Sequence, residues 1–177
     1  IYIKKAIEIN PNYPKAHSNY GLILKENGKL KEAELSTRKA IELQPDFADA
    51  YYNLGVILKE SEKLREAEIS TRKAIELEPN CAEAHYNLGC ILKELGKSRE
   101  AEISIRKAIQ LNPDCADAYS NLGGILNDLE NLYEAELSTH KAIQLKPDYA
   151  EANYNLGAIL KDLGNLKEAE ISLRKAI

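Results

Sequence analysis

The stretch PDFADAYYNLGVILKESEKLREAEISTRKAIELEP, residues 45–79, decides the fold. It opens and closes on proline, and it recurs. Prolines stand at 11, 45, 79, 113 and 147, each 34 residues after the last. With them return Asn-Tyr-Gly or Asn-Leu-Gly at 19–21, 53–55, 87–89, 121–123 and 155–157, and Glu-Ala-Glu at 32–34, 66–68, 100–102, 134–136 and 168–170. A fixed period of this length marks a stacked array of one supersecondary unit. The full units are 14–47, 48–81, 82–115 and 116–149, with 1–13 as the tail of a preceding unit and 150–177 as a partial fifth. Both ends fall inside a helix pattern and no Met opens the chain, so it reads as a piece of a longer array.

Within 48–81, Ala50, Tyr51, Leu54, Gly55, Ile57 and Leu58 recur at helical spacing, as do Leu64, Ala67, Ile69, Ala74, Ile75 and Leu77. The pattern predicts two helices of about 13 residues split near Ser61–Lys63. In three units the split carries a helix-ending glycine, Gly28, Gly96 or Gly164. Glu62 and Glu130 replace it in the other two, so those turns are expected to close another way. Asp46, Asn80, Asp114 and Asp148 each precede an acidic residue by three positions, as in a capping box. Glycine inside a helix costs about 1 kcal/mol against alanine. Five in register, at 21, 55, 89, 123 and 157, therefore imply close helix approach, and Gly89→Leu is expected to lower the melting temperature.

Tyr51, Leu54, Gly55, Ala67, Ala74 and Pro79 match the tetratricopeptide repeat pattern at its offsets, and the chain resembles that family over all 177 residues. The resemblance implies an all-α fold, a right-handed superhelical solenoid of antiparallel helix pairs with the first helices lining its concave face. Two departures stand out. The usual second-helix aromatic is Thr37, Thr71, Ile105, Thr139 or Leu173, and the first-helix aromatic is His17, His85 or Asn153 in three units. Leu35, Ile69 and Ile103 are expected to fill the core that the smaller residues leave.

Net charge is −4 with 29% charged residues, and no basic stripe points to nucleic acid. No apolar run approaches the length of a membrane span. Cys81, Cys90 and Cys115 form no CxxC pair and have no histidine at metal spacing. They read as small buried hydrophobes, consistent with a reducing, cytoplasmic setting. No catalytic triad, phosphate loop, metal cluster or cofactor motif is visible, which favours a non-catalytic protein. His17 and His85 read as packing residues and His140, in place of Arg38, as exposed. Glu34–Arg38–Glu42 and Glu68–Arg72–Glu76 read as ion pairs on a solvated outer face.

One helix face carries a repeated pair of rows. Asn19, Asn53, Asn87, Asn121 and Asn155 occupy one position, and Asp49, Glu83, Asp117 and Glu151 stand one turn earlier, with Lys15 breaking the acidic row. Asparagine is a poor interior helix residue. Its amide is both donor and acceptor, suited to the backbone of an extended peptide or to bonding the next repeat. The rows resemble those of the repeat region of O-linked N-acetylglucosamine transferases, a resemblance that implies an asparagine ladder binding extended protein segments. The Lys/Asn carboxylate clamp of chaperone-binding members is absent, because Ser18, Tyr52, Tyr86, Ser120 and Tyr154 stand where it needs a cation. A basic or neutral extended partner is therefore expected, with Tyr52, Tyr86 and Tyr154 adding contact area. Two rival readings remain: head-to-tail self-assembly through uncapped ends, and the targeting arm of a larger transferase.

Overall fold

The structure, a computed structural model, describes residues 2–177. Eleven helices and no strand occur among the described residues. They are α1 (Tyr2–Ile9), α2 (Pro14–Glu26), α3 (Leu30–Leu43), α4 (Ala48–Glu60), α5 (Leu64–Leu77), α6 (Ala82–Glu94), α7 (Ser98–Leu111), α8 (Ala116–Asp128), α9 (Leu132–Leu145), α10 (Ala150–Asp162) and α11 (Leu166–Lys175). The helices pair as hairpins, and the hairpins stack as a helical-repeat solenoid. By internal contacts the chain forms two units, one up to Ile91 and one from Leu92 onward.

Each repeat closes in the same way. In α2–α3, Gly28 adopts φ 72°, its N–H bonds the Lys25 carbonyl at 2.8 Å, and the Lys29 N–H bonds the Leu24 carbonyl at 2.9 Å. Glu62 and Glu130 do likewise, at φ 59° and 60°, with the Lys63 and Asn131 amides reaching Leu58 and Leu126 at 2.9 Å. These turns therefore close as the glycine turns do, contrary to the sequence expectation. The side chain is forced into the left-handed region because the hairpin bonds over-determine the backbone there.

The helix starts also differ from expectation. The Phe47 N–H bonds the Gln44 carbonyl at 3.2 Å, closing a four-residue turn over Pro45 and Asp46. Asp46 is thereby held inside the turn, and Phe47 becomes the residue before the helix, making no side-chain cap bond. Cys115 and Tyr149 occupy the same place before α8 and α10, also without a side-chain cap. Proline ends one helix and sets the turn that starts the next.

The core follows the helical period. Ala50, Leu54, Ile57 and Leu58 of α4 and Ala67 and Ala74 of α5 are buried. In the first unit Leu24, Ala33 and Ile57 join in one cluster with Tyr20. In the second, Leu156, Leu160 and Ala169 cluster with Ile143. Each buried Leu or Ile contributes about 1.5–3 kcal/mol.

The small second-helix residues are the partners of the first-helix glycines. Thr37, Thr71 and Thr139 are fully buried. A Cβ placed on Gly21, Gly55 or Gly123 would lie 2.1, 2.2 or 2.1 Å from the Oγ1 of Thr37, Thr71 or Thr139 respectively. A threonine here fills the space an aromatic would take and bonds its own helix, Thr37 to the Ala33 carbonyl at 2.9 Å and Thr139 to that of Ala135 at 2.8 Å. Leu35, Ile69 and Ile103 fill no core: each is 70% exposed, which overturns the expectation. Ala67, Thr71 and Ala74 share the buried side, and Ile69, two residues after Ala67, lies about 200° round the helix from it. The cysteines also depart from expectation: all three are only half-buried, Cys81 and Cys115 because they lie at helix entrances.

Candidate functional site: the first-helix face

The first helices of neighbouring repeats touch, α2 against α4 in the first unit and α8 against α10 in the second. Their exposed first turns carry the acidic row. Asp49 and Glu83 in the first unit, and Asp117 and Glu151 in the second, are all solvent-exposed. Each sits in the first turn of its helix, where the helix dipole favours a carboxylate.

One turn on, the amides differ in access. Asn19 is exposed, Asn53 and Asn87 are only 7% exposed, and Asn121 and Asn155 are half-buried. Asn53 Nδ2 donates to Ser18 Oγ at 3.0 Å, and Asn155 Nδ2 donates to Ser120 Oγ at 3.1 Å, each bond running to the preceding repeat. Asn87 Nδ2 reaches back to Thr71 Oγ1 at 3.2 Å. The amide row thus stitches repeats together, and the acceptor follows the sequence. Where serine precedes the previous asparagine, the next asparagine bonds it; where Tyr52 stands there, Asn87 turns to threonine.

Tyr52 and Tyr86 are half-buried and Tyr154 is 61% exposed. Burial raises the Tyr52 phenol above its ordinary pKa, with Cys81 and Glu83 adding to the shift. The helix-entrance position occupied by Cys81, Cys115 and Tyr149, read from sequence as a place for small buried hydrophobes, carries polar contacts instead. Cys81 Sγ lies 3.6 Å from Glu83 Oε2, and burial pushes its thiol up, with Glu83 reinforcing and the Ala84 backbone opposing. Such a thiol stays protonated and unreactive. Tyr149 donates to Glu151 at 3.4 Å. Its pKa is raised strongly by burial and then by Asp117 and Glu151, so the phenol lies between two acids of the row. The signal available in sequence was the shared repeat position of Cys81, Cys115, Phe47 and Tyr149.

Beyond the amides, Lys25 bonds Glu60 of the next repeat at 3.0 Å, so this cation is neutralised. Asn127 stands where a lysine stands in other repeats and bonds Asp162 at 3.5 Å. The histidines at 17 and 85 bond the Pro11 and Pro79 carbonyls through Nε2 at 2.8 and 2.9 Å, a structural role. His140 is exposed, 3.7 Å from Glu136. Among the described residues no three His, Cys, Asp or Glu side chains gather as a metal site, and no helix is long and apolar enough to cross a membrane.

Profiles of the tetratricopeptide repeat match residues 82–115, 116–149 and 150–177, and related profiles match 2–34, 21–61 and 48–81. No curated protein sequence matches significantly. Among solved structures, YrrB, described as a TPR protein with an unusual peptide-binding site, superposes with a TM-score of 0.82 at 28% identity, covering 99% of this chain and 90% of that one. MamA superposes with a TM-score of 0.81 at 26% identity, covering 88% and 91%. PilF of Pseudomonas aeruginosa, at 23% identity and a TM-score of 0.83 over 92% and 74%, shares the fold.

Proposed function

The chain belongs to the tetratricopeptide repeat family, and on that premise we propose that it is a non-catalytic interaction scaffold whose first-helix face holds an extended, basic or neutral protein segment. The observation that carries this reading is the exposed acidic row Asp49, Glu83, Asp117 and Glu151, one turn before a row of oriented amides. With Nδ2 committed to the neighbouring repeat, Asn53, Asn87 and Asn155 keep Oδ1 as an acceptor for the backbone N–H groups of the bound segment. Asn19, Asn121, Tyr52, Tyr86 and Tyr154 complete the contact surface in this reading. A peptide-binding site in YrrB, the similar structure at 28% identity, supports it. Three cysteines outside any disulfide fit a reducing, cytoplasmic setting.

The test is anisotropy of labelled, unstructured Lys-rich, neutral and Glu-rich peptides against the parent and against Asp49→Asn/Glu83→Gln/Asp117→Asn/Glu151→Gln. Two exposed contacts in each unit at roughly 0.5 kcal/mol each total about 1 kcal/mol per unit, or about fivefold, for the Lys-rich peptide. The neutral peptide should change little. Equal affinity of parent and variant for the Lys-rich peptide would refute the acidic row as the contact.

A further inference from the structure

The second helices carry an apolar feature that the peptide face does not use. Leu35 and Ile69 in the first unit, and Ile103, Leu137 and Ile171 in the second, occupy one repeat position, and all are at least 56% exposed. Large aliphatics placed at one solvent-facing position of every repeat form an ordered series, not scattered surface residues.

Beside them lie clefts. In the first unit a cleft of about 490 Å³ between α3 and α5 is lined by Ile41, Leu54 and Ile69. In the second unit one of about 280 Å³ between α9 and α11 is lined by Ile143, Leu156 and Ile171, each three repeat periods further on. The same repeat positions therefore line a cleft beside an exposed aliphatic in each unit.

We propose that the outer face of the second unit, built on Ile103, Leu137 and Ile171, is a self-association surface that takes a second copy of this chain in antiparallel orientation. Two properties select that occupant. First, another copy carries the same aliphatic spacing, so the rows Ile103, Leu137 and Ile171 of the two copies match repeat for repeat. Second, the charges complement under a two-fold axis. Along each second helix the order is acid, aliphatic, base: Glu102–Ile103–Arg106, Glu136–Leu137–His140 and Glu170–Ile171–Arg174. The α7, α9 and α11 helices all run the same way, each following a first helix through a tight turn. An antiparallel copy reverses the order, setting its acids against the bases and its bases against the acids. Within one chain Glu102 and Glu170 already hold Arg106 and Arg174 at 2.8 and 2.6 Å, and the second copy extends these pairs into a shared network. A two-fold contact of this kind is closed and yields a dimer, not a filament.

Sedimentation equilibrium across micromolar to millimolar concentrations tests this, with helical circular dichroism as the folding check. The parent should reach dimer mass. Ile103→Lys and Leu137→Lys, at positions already in water in the single chain, should each weaken dimerisation about tenfold or more by placing an unpaired charge in the contact; Ile103→Ser and Leu137→Ser are the milder pair. The orientation is tested by charge reversal. The set Glu102→Arg/Glu136→Arg/Glu170→Arg and the set Arg106→Glu/His140→Glu/Arg174→Glu should each be monomeric, and an equimolar mixture should recover the dimer. A monomeric parent at all concentrations overturns the proposal. So does a dimer that survives the outer-face substitutions but is lost with Ile9→Lys, which would place association at the ends. A mixture that stays monomeric overturns the antiparallel arrangement.

Discussion

Gly123 and Gly124 are adjacent in α8, yet substituting alanine should move stability in opposite directions. A Cβ on Gly123 would lie 2.1 Å from Thr139 Oγ1, 3.2 Å from the Ala135 carbonyl oxygen and 3.3 Å from Thr139 Cβ. The hydroxyl is fixed by its bond to the Ala135 carbonyl, so relief requires either a rotamer change or separation of α8 from α9. Overpacking of this kind costs about 1–3 kcal/mol, and loss of the hydroxyl bond adds about 1 kcal/mol. The better helix propensity of alanine returns about 1 kcal/mol. Gly123→Ala should therefore lose about 2 kcal/mol, which for a chain of this size is about 4–8 °C in Tm. A Cβ on Gly124 meets only the Lys93 ammonium, at 3.0 Å, and that flexible end can move aside. Gly124→Ala should be neutral or gain up to about 1 kcal/mol. The reasoning is sharpened by a double-mutant cycle with Thr139→Ala, which removes the clashing oxygen. Urea unfolding of the four proteins should give a favourable coupling energy of about 1–2 kcal/mol between the two sites. Additive effects, or equal losses at Gly123 and Gly124, would refute the account of the glycine register.

Other features lead to separate tests. Glu62→Gly and Glu130→Gly relieve a left-handed non-glycine residue and should each add about 1 kcal/mol to stability, whereas Gly28→Ala should subtract a similar amount; thermal melts of all three decide this. Asn53→Ala should lose about 1 kcal/mol with its bond to Ser18, whereas Asn19→Ala, at an exposed position, should stay within about 0.5 kcal/mol, and equal effects in urea unfolding would remove the stitching role of the amide. The Glu34 carboxyl is raised by burial, but hydrogen bonds from Lys63 and Arg38 outweigh this and hold it below the ordinary carboxylate range. Its folded pKa is depressed, so its contribution is present above that range and is lost as pH falls through the folded value. Glu34→Gln should therefore lower stability at neutral pH and flatten its fall between neutral and acidic pH; an unchanged slope counts against the pair.

The helix pairs and the positions of the hairpin turns were legible because they depend on period and on proline and glycine, which act locally. What failed depended on direction. Ile69 reads as filling the space left by the small Thr71, although its angle from Ala67 around the helix places it outside. Asp46 matched a capping box by spacing, but Pro45 commits it to a turn one residue too early. Glu62 was expected to avoid the conformation that glycine adopts, because sequence shows the residue preference and not the hydrogen bonds that overrule it. In the candidate site, the rows themselves were visible as recurring Asn and Asp or Glu. The amide partners were not, since a bond from Asn53 to Ser18 joins residues 35 apart that meet only when helices stack. The role of the helix-entrance position was hidden because Phe47, Cys81, Cys115 and Tyr149 share a place and not a chemistry.

Amide chemical-shift mapping with an unstructured Lys-rich peptide tests the central claim most directly. The account predicts saturable shifts at Asp49, Asn53, Glu83 and Asn87 in the first unit and at Asp117, Asn121, Glu151 and Asn155 in the second, fading as salt is raised. Shifts confined to the second helices, or none at these residues at saturating peptide, would contradict it.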